Sequence, residues 1–402
     1  MADQDVTELV EDTAPDTSDM MYEGKDPDGA PLDRSIRHSV LQKLIASAQK
    51  NRNLLINGCM RLSQRGFAGA TAWATATYSL DRYRWTGSGA GVITATHSTD
   101  GPAGTAFKKC LRIDVTTADA ALGATDEYFV QQRVEAQNLQ HLLYGNAAAK
   151  TITLSFWVKC KITGQMGGFL WQFDPGTARN YSIGYTINSA DTWEKKTITI
   201  TGDASGQIDN NNGEGLGVSF SLGMGTDDDS GTKDVWENAV AEPNNTHVDP
   251  SWNTNIMAST DNYLCITGVQ LEVGDVATDF DYEPIDELIA KCQRYYCKSY
   301  SIDVAPATNT TAGQVYFRST GHADSDHTIN YHVSFPVEMR TPPLTHTYDN
   351  AEAEDKVTME KGSGVAASMV HKSANSMNVA GTNGEAGVTR ILSFHWTSEA
   401  EL

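Results

Sequence analysis

The chain has 402 residues, with 51 acidic against 30 basic side chains and a formal net charge of −21. That balance argues against a nucleic-acid binder, because displacing counterions from a polyanion takes lysine and arginine. Hydrophobic residues make up 40% of the chain but never form the run of about 18 apolar positions that a membrane span needs. The length leaves room for about two or three domains.

Residues 1–33 are markedly acidic and broken by Pro15, Pro27 and Pro31. They lack the apolar stretch of a secretory signal, and a free chain of this composition is extended. In the 34–52 segment, Ile36, Val40, Leu41, Leu44 and Ala48 recur at three- and four-residue steps, which predicts a short connecting helix. Lys43 and Lys50 suit the negative end of its dipole. Such a helix either packs on its own domain or pairs with copies of itself.

Residues 53–285 read as all-β. Short segments such as GVITATHS, CLRIDVTT, EYFVQQRVE, KTITLSFWVKCKI, NYSIGYTI, GLGVSFSLGM and NYLCITGVQLE are rich in β-branched and aromatic residues and are separated by Gly, Asp and Asn clusters. Strands at this spacing predict a sandwich or jelly roll. Ile152, Leu154, Phe156 and Val158 alternate and are expected to face the core. Helical turns are expected at 134–143 and at 286–294, the latter within a helical linker at 286–300. Residues 301–402 contain further strand-like pieces and are expected to form a smaller distal β-domain. The fold class is therefore mainly β: an extended N-terminal segment, a short helix, a jelly-roll-like sandwich and a second β-domain.

Six scattered cysteines (59, 110, 160, 265, 292 and 297) suit buried free thiols better than a disulfide framework. Asp227, Asp228 and Asp229 are candidate ligands for a structural calcium, although their spacing is not that of an EF-hand. The bland alternative is a solvated acidic turn. Trp171, Tyr181, Trp236 and Trp252 are candidate glycan contacts, whereas Trp85, Trp157 and Trp193 lie inside strand patterns and are expected in the core. His322, His327 and His332 with Asp324 and Asp326 read as a polar turn more readily than as a metal cluster. No GxSxG elbow, HExxH pair or phosphate-binding glycine loop is present, so no enzyme is expected.

Three blocks carry a resemblance. NLLINGCMRLSQRG followed by DRYRW places Asn53, Asn57, Gly58, Gln64, Arg65, Gly66, Asp81, Arg82 and Trp85 in one pattern. SFWVK at 155–159, the stretch from Tyr263 to Pro284 and KCQRYYCKS at 291–299 follow in order. Together they resemble a β-sandwich module of bacteriophage tail fibres and other virion appendages. The N-terminal DTAPDTSDMMYEGKDPDGAPLDR resembles the attachment segment of podovirus-type fibres, through Asp12, Pro15, Ser18, Asp19, Tyr22, Asp26, Pro27 and Arg34. PVEMRTPPL at 336–344 resembles an element of phage distal domains.

The resemblance implies a tail fibre or comparable appendage, assembled in the host cytoplasm and carried on the virion. It implies homotrimers, docking on tail, adaptor or portal proteins, and adhesion to a host-surface glycan or other receptor, with no nucleic-acid partner and no membrane insertion. Two alternatives stay open: a capsid-associated head fibre or decoration protein, and a calcium-dependent carbohydrate-binding module.

Overall fold

The computed structural model describes residues 52–66, 71–174, 176–239, 247–319, 327–359, 365–383 and 390–402, and the backbone of two short strands near the N-terminus. Those two strands, β1 (Gly24–Lys25) and β2 (Pro31–Leu32), pair antiparallel. The eight docking candidates Asp12, Pro15, Ser18, Asp19, Tyr22, Asp26, Pro27 and Arg34 lie outside the described residues, as does the expected helix at 34–51.

The body that follows contains β3 (Thr71–Ala72), β4 (Arg84–Gly87), β5 (Val92–Ser98), β6 (Cys110–Thr117), β7 (Glu127–Glu135) and β8 (Ile152–Cys160). It continues through β9 (Gly164–Gln172), β10 (Arg179–Ile187), β11 (Glu194–Ile200), β12 (Glu214–Met224), β13 (Trp236–Asn238) and β14 (Tyr263–Val273). Two six-stranded antiparallel sheets result, one ordered β13-β10-β9-β12-β7-β4 and the other β11-β8-β14-β6-β5-β3. This is the sandwich that the strand spacing predicts.

Alternation explains the core. Ile152, Leu154, Phe156 and Val158 all point inward and are fully buried, opposite Leu170, Ile183, Val218 and Phe220 of the other sheet. Phe156 meets the edges of both Tyr185 and Phe220 at about 5 Å, the preferred geometry for aromatic pairs. Trp85 is buried as expected, whereas Trp157 and Trp193 are only half-buried, on the outer side of the second sheet. The expected helix at 134–143 is a 3-10 helix over Ala136–Leu142, with Leu139 and Leu142 inward. Strand β9 escapes sequence reading because its GQMGG opening has low β-propensity.

Helix α1 (Ile285–Gln293) buries Leu288 and Cys292. The chain then returns to strand at β15 (Tyr296–Lys298), inside the segment expected as a helical linker, because Tyr296, Cys297 and Lys298 pair with Glu399, Ser398 and Thr397. The remaining strands are β16 (Val315–Ser319), β17 (His327–Ser334), β18 (Leu344–Tyr348), β19 (Lys356–Met359), β20 (Val365–Val370), β21 (Ser376–Asn383) and β22 (Arg390–Glu399). Ten-residue β22 is the organiser, pairing with β15, β16, β18 and β19. A separate core forms around Leu392, Phe394, Trp396, Val379 and Met377. All six cysteines are free and buried.

The chain after β12 crosses the outer face of the first sheet. It seats Val248 beside Phe129 and Phe169, and it lays the Trp252 indole on Gly184 of β10. A Cβ at position 184 would sit 2.3 Å from that indole, so only glycine permits the contact. Gly184→Ala should therefore lift Trp252. The expected outcome is a gain in acrylamide-quenchable fluorescence with unchanged far-UV circular dichroism. The gain should vanish in a Trp252→Phe background, and its persistence there would refute the seating.

Candidate functional site: the signature clamp and the outer sheet face

The residues of the appendage-like signature divide between the sandwich, where Asn53, Asn57 and Gly58 fix the entering chain and Trp85 fills the core, and the joint with the C-terminal sheet, where Gln64, Arg65, Gly66, Asp81 and Arg82 gather. Asn53 donates to the Val269 carbonyl and accepts from the Leu55 and Leu271 amides, fixing the entering chain to β14. Asn57 takes a left-handed conformation (φ 58°) and ties Leu62 to the Asp81 carbonyl. Gly66 is also left-handed (φ 75°), and a Cβ there would lie 2.4 Å from Ala305 Cα, so glycine lets the two bodies approach.

Charge does the joining. Asp81 accepts from the Gln64 amide at 2.6 Å and from Gln64 Nε2 at 2.7 Å, and the same Nε2 donates to the Tyr296 carbonyl of β15. Arg82 is 1% exposed, ion-pairs with Glu401 and donates to the Arg133 carbonyl at 2.6 Å. Its guanidinium lies 3.4 Å from the ring centre of Tyr295. Arg65 reaches the other Glu401 oxygen at 3.3 Å and stacks on Tyr296 at 4.0 Å. Glu401 thus bridges two arginines of the sandwich.

A second cluster flanks the first. Glu135, fully buried at the end of β7, receives both Arg294 nitrogens at 2.7 and 2.9 Å and the Tyr295 hydroxyl at 2.6 Å. Burial pushes its carboxyl up, but the bonds from Arg294 and Tyr295 outweigh burial and hold it below the usual carboxylate range. Lys298 donates to the carbonyls of Gln64, Ile302 and Val304. Burial lowers its pKa to about 8, against the opposing pull of Asp81.

The four aromatic glycan candidates do not assemble into one surface. Tyr181 points into the sandwich, 1% exposed, and packs on Trp236 at 5.2 Å. Trp236 closes the sandwich edge and donates to the Thr201 carbonyl. Trp171 and Trp252 are half-buried on the outer face of the first sheet. The sequence reading placed Trp193 in the core. The structure instead sets it on the outer side of the second sheet, within a polar platform. Its indole donates to Asp100 at 3.3 Å, Arg112 stacks on Tyr263 at 4.0 Å, and Tyr263 bonds Asp191. The alternation in CLRIDVTT, with Arg112 and Asp114 out of phase with the buried Leu111, Ile113 and Val115, was the available signal.

The three consecutive aspartates also part company. Asp227 and Asp229 are half-buried, and Asp229 accepts from Asn253, while Asp228 turns inward to 1% exposure. There Asp228 Oδ1 faces His247 Nδ1 at 3.2 Å, and Glu127 Oε2 stands 3.9 Å from the same nitrogen. This is the group of potential metal-ligating atoms found within 4.8 Å of one another among the described residues. A calcium ion takes six to eight oxygen ligands, and a set of one imidazole and two carboxylates does not fit it. Of the histidine cluster, His322, Asp324 and Asp326 lie outside the described residues, and His332 is bonded to Asn378.

No family model and no curated protein matches this chain. Among solved structures it is similar to the enzymatically active domain of tailspike protein 4 of bacteriophage CBA120, at 12% identity and a TM-score of 0.28, over 56% of this chain. The chain spans only 22% of that domain's length. It is also similar to a protein described as sugar-binding from Bacteroides thetaiotaomicron (14% identity, TM-score 0.31, 55% of this chain and 100% of the other). A third is the family 11 carbohydrate-binding module of Clostridium thermocellum, solved with a mixed-linked tetrasaccharide (8% identity, TM-score 0.26, 53% and 99%). These likenesses concern the fold. Among the described residues no helix is long and apolar enough to cross a membrane.

Two predictions come from the clamp. Arg82→Ala leaves the buried Glu401 with Arg65 alone, so it should cost about 1.5–3 kcal/mol in urea unfolding, while a paired Arg82→Met, Glu401→Leu change, which leaves Arg65 to Glu399, should recover much of that loss. A double variant as unstable as the single one would contradict the assignment. Because Glu135 has a lowered pKa, its contribution is complete above the ordinary glutamate value of about 4.3 and is lost as pH falls below that value through the lowered folded one. Glu135→Gln should therefore flatten the loss of urea midpoint between pH 6 and 3.5, and an unaltered pH slope would count against it.

Proposed function

We propose that this protein is a structural component of a tailed-phage particle, a tail fibre or comparable appendage. In this reading it docks by its acidic N-terminal segment and presents its β-bodies to the host surface. The observation that supports this best is the use made of the signature residues. Gln64, Arg65, Asp81 and Arg82 build a buried joint between two bodies, while Asn53 and Asn57 fix the entering chain within the sandwich. A signature devoted to rigid construction suits an adhesin and not a catalyst, and the reading is non-enzymatic.

Adhesion in this account works by many weak contacts multiplied over symmetric copies, three by the resemblance to phage fibres. The glycan-facing groups are the half-buried indoles. Trp171 lies on one sheet, and Trp193 lies on the other beside Asp100 and Lys159. Indole faces stack on sugar rings while neighbouring polar groups take the hydroxyls.

Removing residues 1–33 should leave a folded oligomer that no longer joins particles; normal incorporation would refute the docking role. Trp171→Ala with Trp193→Ala should reduce adsorption about tenfold or more while leaving incorporation unchanged, the loss expected when a stacking anchor is worth about 1.4 kcal/mol or more. Unchanged adsorption would move the receptor contact elsewhere.

A further inference from the structure

The outer face of the first sheet carries an arrangement that adhesion does not require. Glu127 opens β7, Asp228 lies just past the end of β12, and His247 lies about twenty residues further on, in the segment that crosses the sheet. Their ligating atoms meet beside the apolar cluster of Phe129, Phe169, Met224 and Val248. The His247 ring is held between aromatic neighbours, stacked on Phe169 at 4.5 Å and tilted against Trp171 at 4.9 Å. Its orientation is therefore fixed, with Nδ1 toward the two carboxylates.

Two atoms there lack what burial demands. Asp228 Oδ1 and His247 Nδ1 are both inaccessible to solvent, and neither has a hydrogen-bond partner, although they lie 3.2 Å apart. Among the described residues His247 supplies the one ion-pair contact of Asp228. A buried carboxylate so placed is costly unless a cation compensates it.

The geometry points to a divalent cation of the zinc class, held by Glu127, Asp228 and His247, with a fourth position left for water or another ligand. A tetrahedral ion with bonds near 2.1 Å sets its ligand atoms about 3.4 Å apart. The separations from His247 Nδ1, 3.2 Å to Asp228 and 3.9 Å to Glu127, bracket that value, and all three ligand atoms lie within 4.8 Å of one another. Imidazole nitrogen with two carboxylates is a donor set for zinc and its first-row neighbours rather than for calcium. Two negative charges and one dication make a neutral unit, with Asp228 and His247 buried. The ion would staple the crossing segment to β7.

The test uses the full chain, stripped with chelator and titrated with Zn2+ alone by calorimetry. One equivalent should bind, and Co2+ should give the intense visible absorption of a four-coordinate site. Asp228→Asn, His247→Gln and Glu127→Gln should each weaken binding about a hundredfold or more, since even changes to groups behind the ligands cost ten- to a hundredfold. Asp227→Asn, one residue away, should bind as the wild type. Glu127 sits at a strand end and is half-buried, so its variant keeps the test open if the other two fail to fold. No bound equivalent, equal binding by the variants, or displacement of Zn2+ by equimolar Ca2+ would each overturn the site.

Discussion

Glu401 held between Arg82 and Arg65 is the interaction on which the arrangement of this protein depends. Three charges sit out of water where the sandwich meets the C-terminal sheet. Each is tolerable only because the others are in place. The ring stacking of Arg82 on Tyr295 and Arg65 on Tyr296 fixes the guanidinium planes. Asp81 and Gln64 then lock the same corner to the β15 backbone. A pair replaced by apolar groups would hold as well, so the gain from charge here is a unique orientation rather than strength.

That joint changes how the chain is divided in physical terms. Each body has its own apolar core, but Glu135, Arg294 and Tyr295 form a second buried bridge alongside the first. Arg340 adds a third, donating to Asn212 of the sandwich and to the Ala400 and Glu401 carbonyls.

The fold class was legible because alternation of apolar residues is a local property. The run at 152–158 states which face meets the sandwich core without reference to anything distant. Strands β9, β15 and β19–β21 were not legible, being glycine-rich, short or weakly apolar and held by their neighbours. The signature residues were visible as a pattern, but their role was not, because Glu401 lies 319 positions from Arg82. Likewise the aspartate run attracted attention as three ligands, whereas only Asp228 turns inward. Its companions Glu127 and His247 come from separate segments that nothing in the sequence links.

Native-state hydrogen exchange of the intact chain tests the central claim most directly. If the buried charges weld the two bodies into one cooperative unit, the slowest amides of β8 and β14 and those of β22 should exchange with the same free energy, falling together in urea. Amides of β22 that open well before those of the sandwich core, with a separate urea dependence, would show two independent bodies and contradict the account.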